Sequence, residues 1–85
     1  VPAWPVAIAD AGGGRSLVLD RHTGRVLILD AAGGMAGSFG RRGWEAGALS
    51  FPAGIAVLPD GRLAIADQGN ARLVVYRRAV PERTP

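Results

Sequence analysis

The 85-residue sequence contains no cysteine. No disulfide can staple it, and a thiolate metal site is excluded. It contains no lysine either, so all ten cationic side chains are arginine. Together with abundant glycine and alanine, this reads as a GC-rich coding bias rather than selection for phosphate contacts. The formal net charge of +3 is modest and spread along the chain, which is thin support for nucleic acid. No apolar run approaches the roughly 18 residues of a membrane-spanning helix. No basic-then-apolar leader opens the chain. The sequence begins at Val1 rather than methionine, so the compartment stays open.

What is present suits a packed protein. Apolar residues make up 48% of the chain, which argues against disorder. A 60-residue domain buries only roughly 60% of its unfolded surface, so a chain of this length has a small core. The clearest stretch runs from Phe51 to Tyr76, where three short apolar runs are cut by Pro59-Asp60-Gly61 and Gln68-Gly69-Asn70. That pattern predicts an antiparallel meander.

The meander is written twice. An offset of 47 positions places Trp4 on Phe51 and gives seven ungapped identities: Pro5/Pro52, Ile8/Ile55, Ala9/Ala56, Gly14/Gly61, Arg15/Arg62, Asp20/Asp67 and Arg25/Arg72. Turns and apolar runs stay in phase, so this is a repeat. Each unit predicts a first strand (Val6 to Asp10, Gly54 to Leu58) and a tight turn (Gly12-Gly13-Gly14, Pro59-Asp60-Gly61). A second strand (Ser16 to Leu19, Leu63 to Ala66) and a third (Val26 to Leu29, Leu73 to Tyr76) follow. In the first unit a fourth strand fits Met35 to Phe39, and the glycine-rich 40–50 segment leads into the second unit. Arg77 to Val80 offers the start of a fourth strand there, and 81–85 reads as a frayed tail.

The strands are near-continuous apolar runs, Val26-Leu27-Ile28-Leu29 and Leu73-Val74-Val75-Tyr76 above all. Such runs predict sheets buried on both faces. Small four-stranded sheets stacked around an axis meet that demand, and the first strands carry small residues where crowding is greatest: Ala7, Ala9, Gly54 and Ala56. The fold class is therefore all-β: β-propeller blades built as four-stranded antiparallel meanders, about two of them, in an incomplete ring.

Phe51-Pro52-Ala53-Gly54-Ile55-Ala56-Val57, Gly61, Ala64-Ile65-Ala66-Asp67 and Asn70-Ala71-Arg72-Leu73-Val74-Val75-Tyr76 together resemble an NHL repeat. The resemblance is specific over 37–76 and looser over 4–30, where Ala7 replaces the glycine and Thr23 the asparagine. It implies a propeller, most often of six blades. On this reading 1–80 is a partial propeller, with repeats at 4–50 and 51–80. Two blades leave open edges and apolar faces. The expectation is a fragment whose remaining blades lie in cis, with a ring of three copies as the alternative.

Antiparallel order puts the turns after the second strands, and the 40–50 segment, on one face. That face collects Arg21, His22, Gln68, Asn70, Arg41, Arg42 and Trp44, and loops on a rigid scaffold are where binding residues concentrate. Asp20 and Asp67 recur in both units with Arg25 and Arg72. A ring of carboxylates for a metal is one reading. A hairpin brace, each acid accepting from its turn or its arginine, is the plainer one. His22 reads as a solvated turn residue without a second ligand at metal spacing. Gly12-Gly13-Gly14 precedes a strand, not a helix, and is a turn rather than a phosphate loop. Arg41, Arg42 and Trp44 suit an acidic peptide or a single-stranded nucleic acid, against a plain reading of solvated arginines with Trp44 packed between blades.

With no cysteine, one histidine and no serine in a nucleophile elbow, no catalytic residue is predicted, and no metal or cofactor. The leading expectation is a non-catalytic module that binds a protein or peptide through the loop face. The resemblance also allows a propeller enzyme of the metal-dependent lactonase or lyase type, for which Asp10 is the axis-facing candidate while Val57 fills its counterpart. It allows, third, an RNA-binding propeller using Arg41, Arg42 and Trp44.

Overall fold

The computed structural model describes residues 4–77. β1 (Pro5–Gly12), β2 (Arg15–Asp20), β3 (Arg25–Leu29) and β4 (Met35–Phe39) form one antiparallel sheet in the order β1-β2-β3-β4. β5 (Pro52–Val57), β6 (Leu63–Asp67) and β7 (Arg72–Tyr76) form a second, with a single 3-10 turn at Gln68–Asn70. The two sheets have the form of incomplete propeller blades, and the strands predicted within the described residues are found within a few residues of their sequence bounds. The fourth strand expected at 77–80 and the tail at 81–85 lie outside the described residues, apart from Arg77. No helix among the described residues is long and apolar enough to cross a membrane.

Pairing register shows why the apolar runs take this form. Ala9, Leu17 and Ile28 lie in cross-strand register, as do Ala7, Leu19, Val26 and Phe39. They therefore share one face, here called the front. Ile55, Ile65 and Val74 are likewise aligned on one face of the second sheet. The 47-residue offset makes them the counterparts of Ile8, Val18 and Leu27, which occupy the back of the first sheet. The core joins Leu17, Leu19, Val26 and Ile28 to Leu63 and Ile65, with Ile55, Val74 and Tyr76 packed against it. The front of one unit thus seats on the back of the next. The Phe39 and Tyr76 rings close the outer end of that seam edge to face, 5.4 Å apart.

Burial on both faces of each sheet does not occur within the described residues. Ile8 on the first back face is 67% exposed, and Leu73 on the second front face is 66% exposed. One interface between two sheets covers only one face of each. The other two are the unfilled halves of the same contact.

The connection between the units is not slack. Ala48 and Leu49 are fully buried, and the segment folds back so that Leu49 N–H donates to the Arg41 carbonyl while its own carbonyl accepts from Gly43, both at 2.9 Å. Two glycines make room for it. A Cβ on Gly69 would lie 2.3 Å from the Ser50 carbonyl oxygen, and one on Gly24 2.9 Å from that of Leu49.

Gly24 sits at φ +71 and its repeat counterpart Ala71 at φ +51, so one unit accepts left-handed strain that the other avoids. Relief of about 1–2 kcal/mol, less the unfolded-state entropy of glycine at about 0.5–1 kcal/mol, predicts that Ala71→Gly stabilises the chain and raises its Tm by a few degrees. Gly24→Ala adds both the strain and the collision and should cost about 2 kcal/mol. Thermal unfolding of the two variants tests the pair, and a lower Tm for Ala71→Gly would contradict it.

Candidate functional site

Asp67 is fully buried at the end of β6. Its Oδ1 accepts from the Ser50 N–H at 2.7 Å, and its Oδ2 accepts from Asn70 Nδ2 at 2.8 Å and Arg72 Nε at 3.1 Å. A buried carboxylate is tolerated only when its lone pairs are used and its charge is met, and both conditions hold. Asn70, on the short β6–β7 connection, and Arg72, at the start of β7, then reach onward. Asn70 Nδ2 also donates to the Gly43 carbonyl at 3.0 Å. Arg72 Nη2 donates to the carbonyls of Glu45, at 3.0 Å, and Ala48, at 2.7 Å. One acid therefore holds the whole 43–50 segment through its own partners.

Tyr76 adds a further pin, its hydroxyl donating to the Gly47 carbonyl at 2.7 Å. Burial pushes its pKa up, and the Asp67 charge adds to the shift, so the phenol stays a neutral donor through physiological pH.

Asp20, the counterpart in the first unit, is braced differently. Its Oδ1 accepts from the backbone N–H groups of Trp4 and His22, both at 3.0 Å, and of Thr23 at 3.4 Å. Burial alone would raise its pKa, but these donors outweigh burial and hold it below the ordinary value. Arg25 does not bind it. That guanidinium donates to the Ser38 hydroxyl on β4 instead. The counterpart of the 45–48 loop would precede Trp4 and lies outside the described residues. Thr23 stands at the repeat position of Asn70.

The structure brings three predicted segments together. Arg42 Nη1 reaches the His22 carbonyl at 3.4 Å, and Asn70 holds Gly43, so the 40–50 segment lies against both turns. The predicted residues do not form one open surface, however. Arg21 Nη1 donates to the Phe51 carbonyl and to Gln68 Oε1, each at 3.0 Å, and its guanidinium stands 5.5 Å over the Phe51 ring. Arg21 and Gln68 occupy the same repeat position, and together they clip one unit to the next. Arg41 is ion-paired with Glu45.

Trp44 is 79% exposed and does not pack between blades. Its N–H donates to Glu45 Oε2 at 3.2 Å, so the peptide is fixed while the indole stands in solvent. Among the described residues no three His, Cys, Asp or Glu side chains gather at metal-binding distance. Asp10 accepts from the Gly12 N–H at 2.8 Å and serves its own turn.

Sequence reasoning missed what Asn70, Arg72 and Tyr76 hold. The recurring acid and arginine signalled a brace, but their second partners are backbone carbonyls, which carry no sequence signature.

The fold and the pinned lead-in loop define propeller blades joined in series. The family model for the NHL repeat matches residues 49–76, from the buried Leu49 to the end of β7. No curated protein matches the chain.

Replacing Asp67 with asparagine removes the charge facing Arg72 and sets an amide against three donors. We expect Asp67→Asn to cost about 3 kcal/mol. Asp20→Asn should cost less, and its cost should depend on pH. The lowered folded-state pKa contributes stability above the unfolded value of about 3.9, which is lost as pH falls through the folded value. The gap in urea midpoint between wild type and Asp20→Asn should hold from pH 7 to about pH 5 and close below about 3.9. A gap that widened on acidification would reverse this assignment.

Proposed function

We propose that the chain is a non-catalytic portion of an NHL-type propeller, one that binds a protein or peptide partner through its loop face. Trp44 is the anchor. On this reading further blades cover the two open sheet faces, and the pinned loop stands clear at the rim. The observation that carries the proposal is the contrast at residue 44: a solvent-exposed indole on a backbone fixed by Asn70 and Arg72 immediately around it. Rigid aromatic anchors lose little entropy on binding, and tryptophan and arginine dominate interface hot spots.

A nucleic-acid reading draws on the same cluster but has fewer cations to work with. Arg21 is engaged by Phe51 and Gln68, and Arg41 by Glu45, which leaves Arg42 as the arginine of this face without a carboxylate or aromatic partner. Tracking a phosphate backbone takes several such charges.

The two readings separate in one experiment on the full-length protein. Partners are captured with wild type, Trp44→Ala and Arg42→Glu at 0.1 M and 0.5 M salt, with and without ribonuclease. Protein binding through Trp44 predicts at least a tenfold loss for Trp44→Ala with unchanged Tm, and retention at high salt. Binding that vanishes with salt or ribonuclease and ignores Trp44 would favour RNA and overturn the proposal.

A further inference from the structure

At the outer rim, between the end of β4 and the end of β7, lies an open cavity of about 550 Å³ lined by Phe39, Gly40, Arg41, Ala46, Gly47, Tyr76 and Arg77. Its volume falls within the roughly 300–1,000 Å³ range of small-ligand sites. Most of the wall is apolar and fixed. Phe39 and Tyr76 brace one another edge to face, the Tyr76 hydroxyl is spent on the Gly47 carbonyl, and the phenol is held neutral. The 40–47 side of the wall is the pinned loop, so the cavity does not depend on an unsupported segment. The charged lining residues are Arg77 and Arg41, the latter already met by the Glu45 carboxylate.

We propose that this cavity binds a small amphipathic carboxylate: a flat apolar body against Phe39, Ala46 and Tyr76, with the carboxylate met by Arg77 and by a donor that Arg41 does not spend on Glu45. Charge complementarity selects the class. The uncompensated Arg77 guanidinium repels an amine, and the apolar wall gives a bare inorganic anion nothing to cover. Arg77 forms no ion pair among the described residues. Arg41 is paired with Glu45, yet a guanidinium carries five donors and can serve a second carboxylate. Forked pairing of this kind is short and directional. Trp44 does not line this cavity, so Trp44→Ala tests the partner-binding proposal and Arg77→Gln tests this one.

The probe is 2-naphthoate, titrated calorimetrically into the full chain, with uncharged 2-naphthamide as its isostere. Arg77→Gln removes an exposed charge without touching the core, and Ala46→Leu fills the cavity from an exposed position. The expected result is saturable one-site binding of naphthoate, with naphthamide at least tenfold weaker. Arg77→Gln should weaken naphthoate at least fivefold, and Ala46→Leu should abolish binding while the circular dichroism melt is unchanged. Absence of saturable naphthoate binding overturns the proposal. So does equal affinity for the amide, or binding that survives Ala46→Leu.

Discussion

The Asp67 carboxylate is the constraint on which the second unit and its connection depend. Fully buried, it would be intolerable without Arg72, Asn70 and the Ser50 N–H. Its presence therefore fixes those three groups in space. Two of them have donors left over, and these find the carbonyls of Gly43, Glu45 and Ala48. The consequence is structural leverage: a charge at the end of one strand dictates the path of a loop that begins more than twenty residues earlier. Hydrogen bonds to a charged partner are roughly twice as strong as neutral ones, which suits this acid to the task better than a neutral amide would.

Stacking the units front to back gives the molecule a direction. The contact built inside the chain joins Leu17, Leu19, Val26 and Ile28 to the back of the second sheet. The exposed front of the second sheet offers Ala64, Ala66, Leu73 and Val75 at the same repeat positions. Two leucines have become alanines, while Leu73 and Val75 replace Val26 and Ile28. The exposed back of the first sheet carries Asp10 and Ser16 where the second carries Val57 and Leu63. Interiors pack to nearly crystalline density, so a smaller, more polar back against a shallower front would leave voids. Copies of this chain seated on one another are therefore a poorer match than the internal pair, which favours differently composed blades on the open faces.

Much of the architecture was legible because propeller blades write themselves locally. The turns between the strands of each sheet carry glycine, proline or aspartate, and β4 falls on Met35–Phe39 as the pattern predicts. The offset of 47 revealed the repeat without any knowledge of contacts. What the pattern left open concerns what lies opposite a residue rather than what it is. Apolar runs foretold burial on both faces, but how many faces are covered depends on how many sheets are present. Asp67 takes its arginine as well as backbone and turn donors, whereas Asp20 takes backbone donors and Arg25 turns to Ser38. The Arg21–Gln68 clip was readable in principle, since the two hold the same repeat position. Adjacent blades bring such positions side by side, so like positions are the natural place to seek contacts between units.

Trp44 is where the energetic argument turns toward function. A tryptophan side chain offers about 150–250 Å² for burial, and at about 25 cal/mol per Å² leaving most of it in water forgoes on the order of 4 kcal/mol. A loose loop would recover some of that by folding the indole onto the nearby apolar surface. This loop cannot, because Gly43 and Glu45 on either side are held by Asn70 and Arg72, and Ala48 and Leu49 are locked in the core. The same bonds that make the connection rigid thus keep the ring exposed. That combination has a physical use. A partner that covers the ring gains the burial that the fold withholds, and the ordering cost of the loop has already been met by Asp67 and its donors.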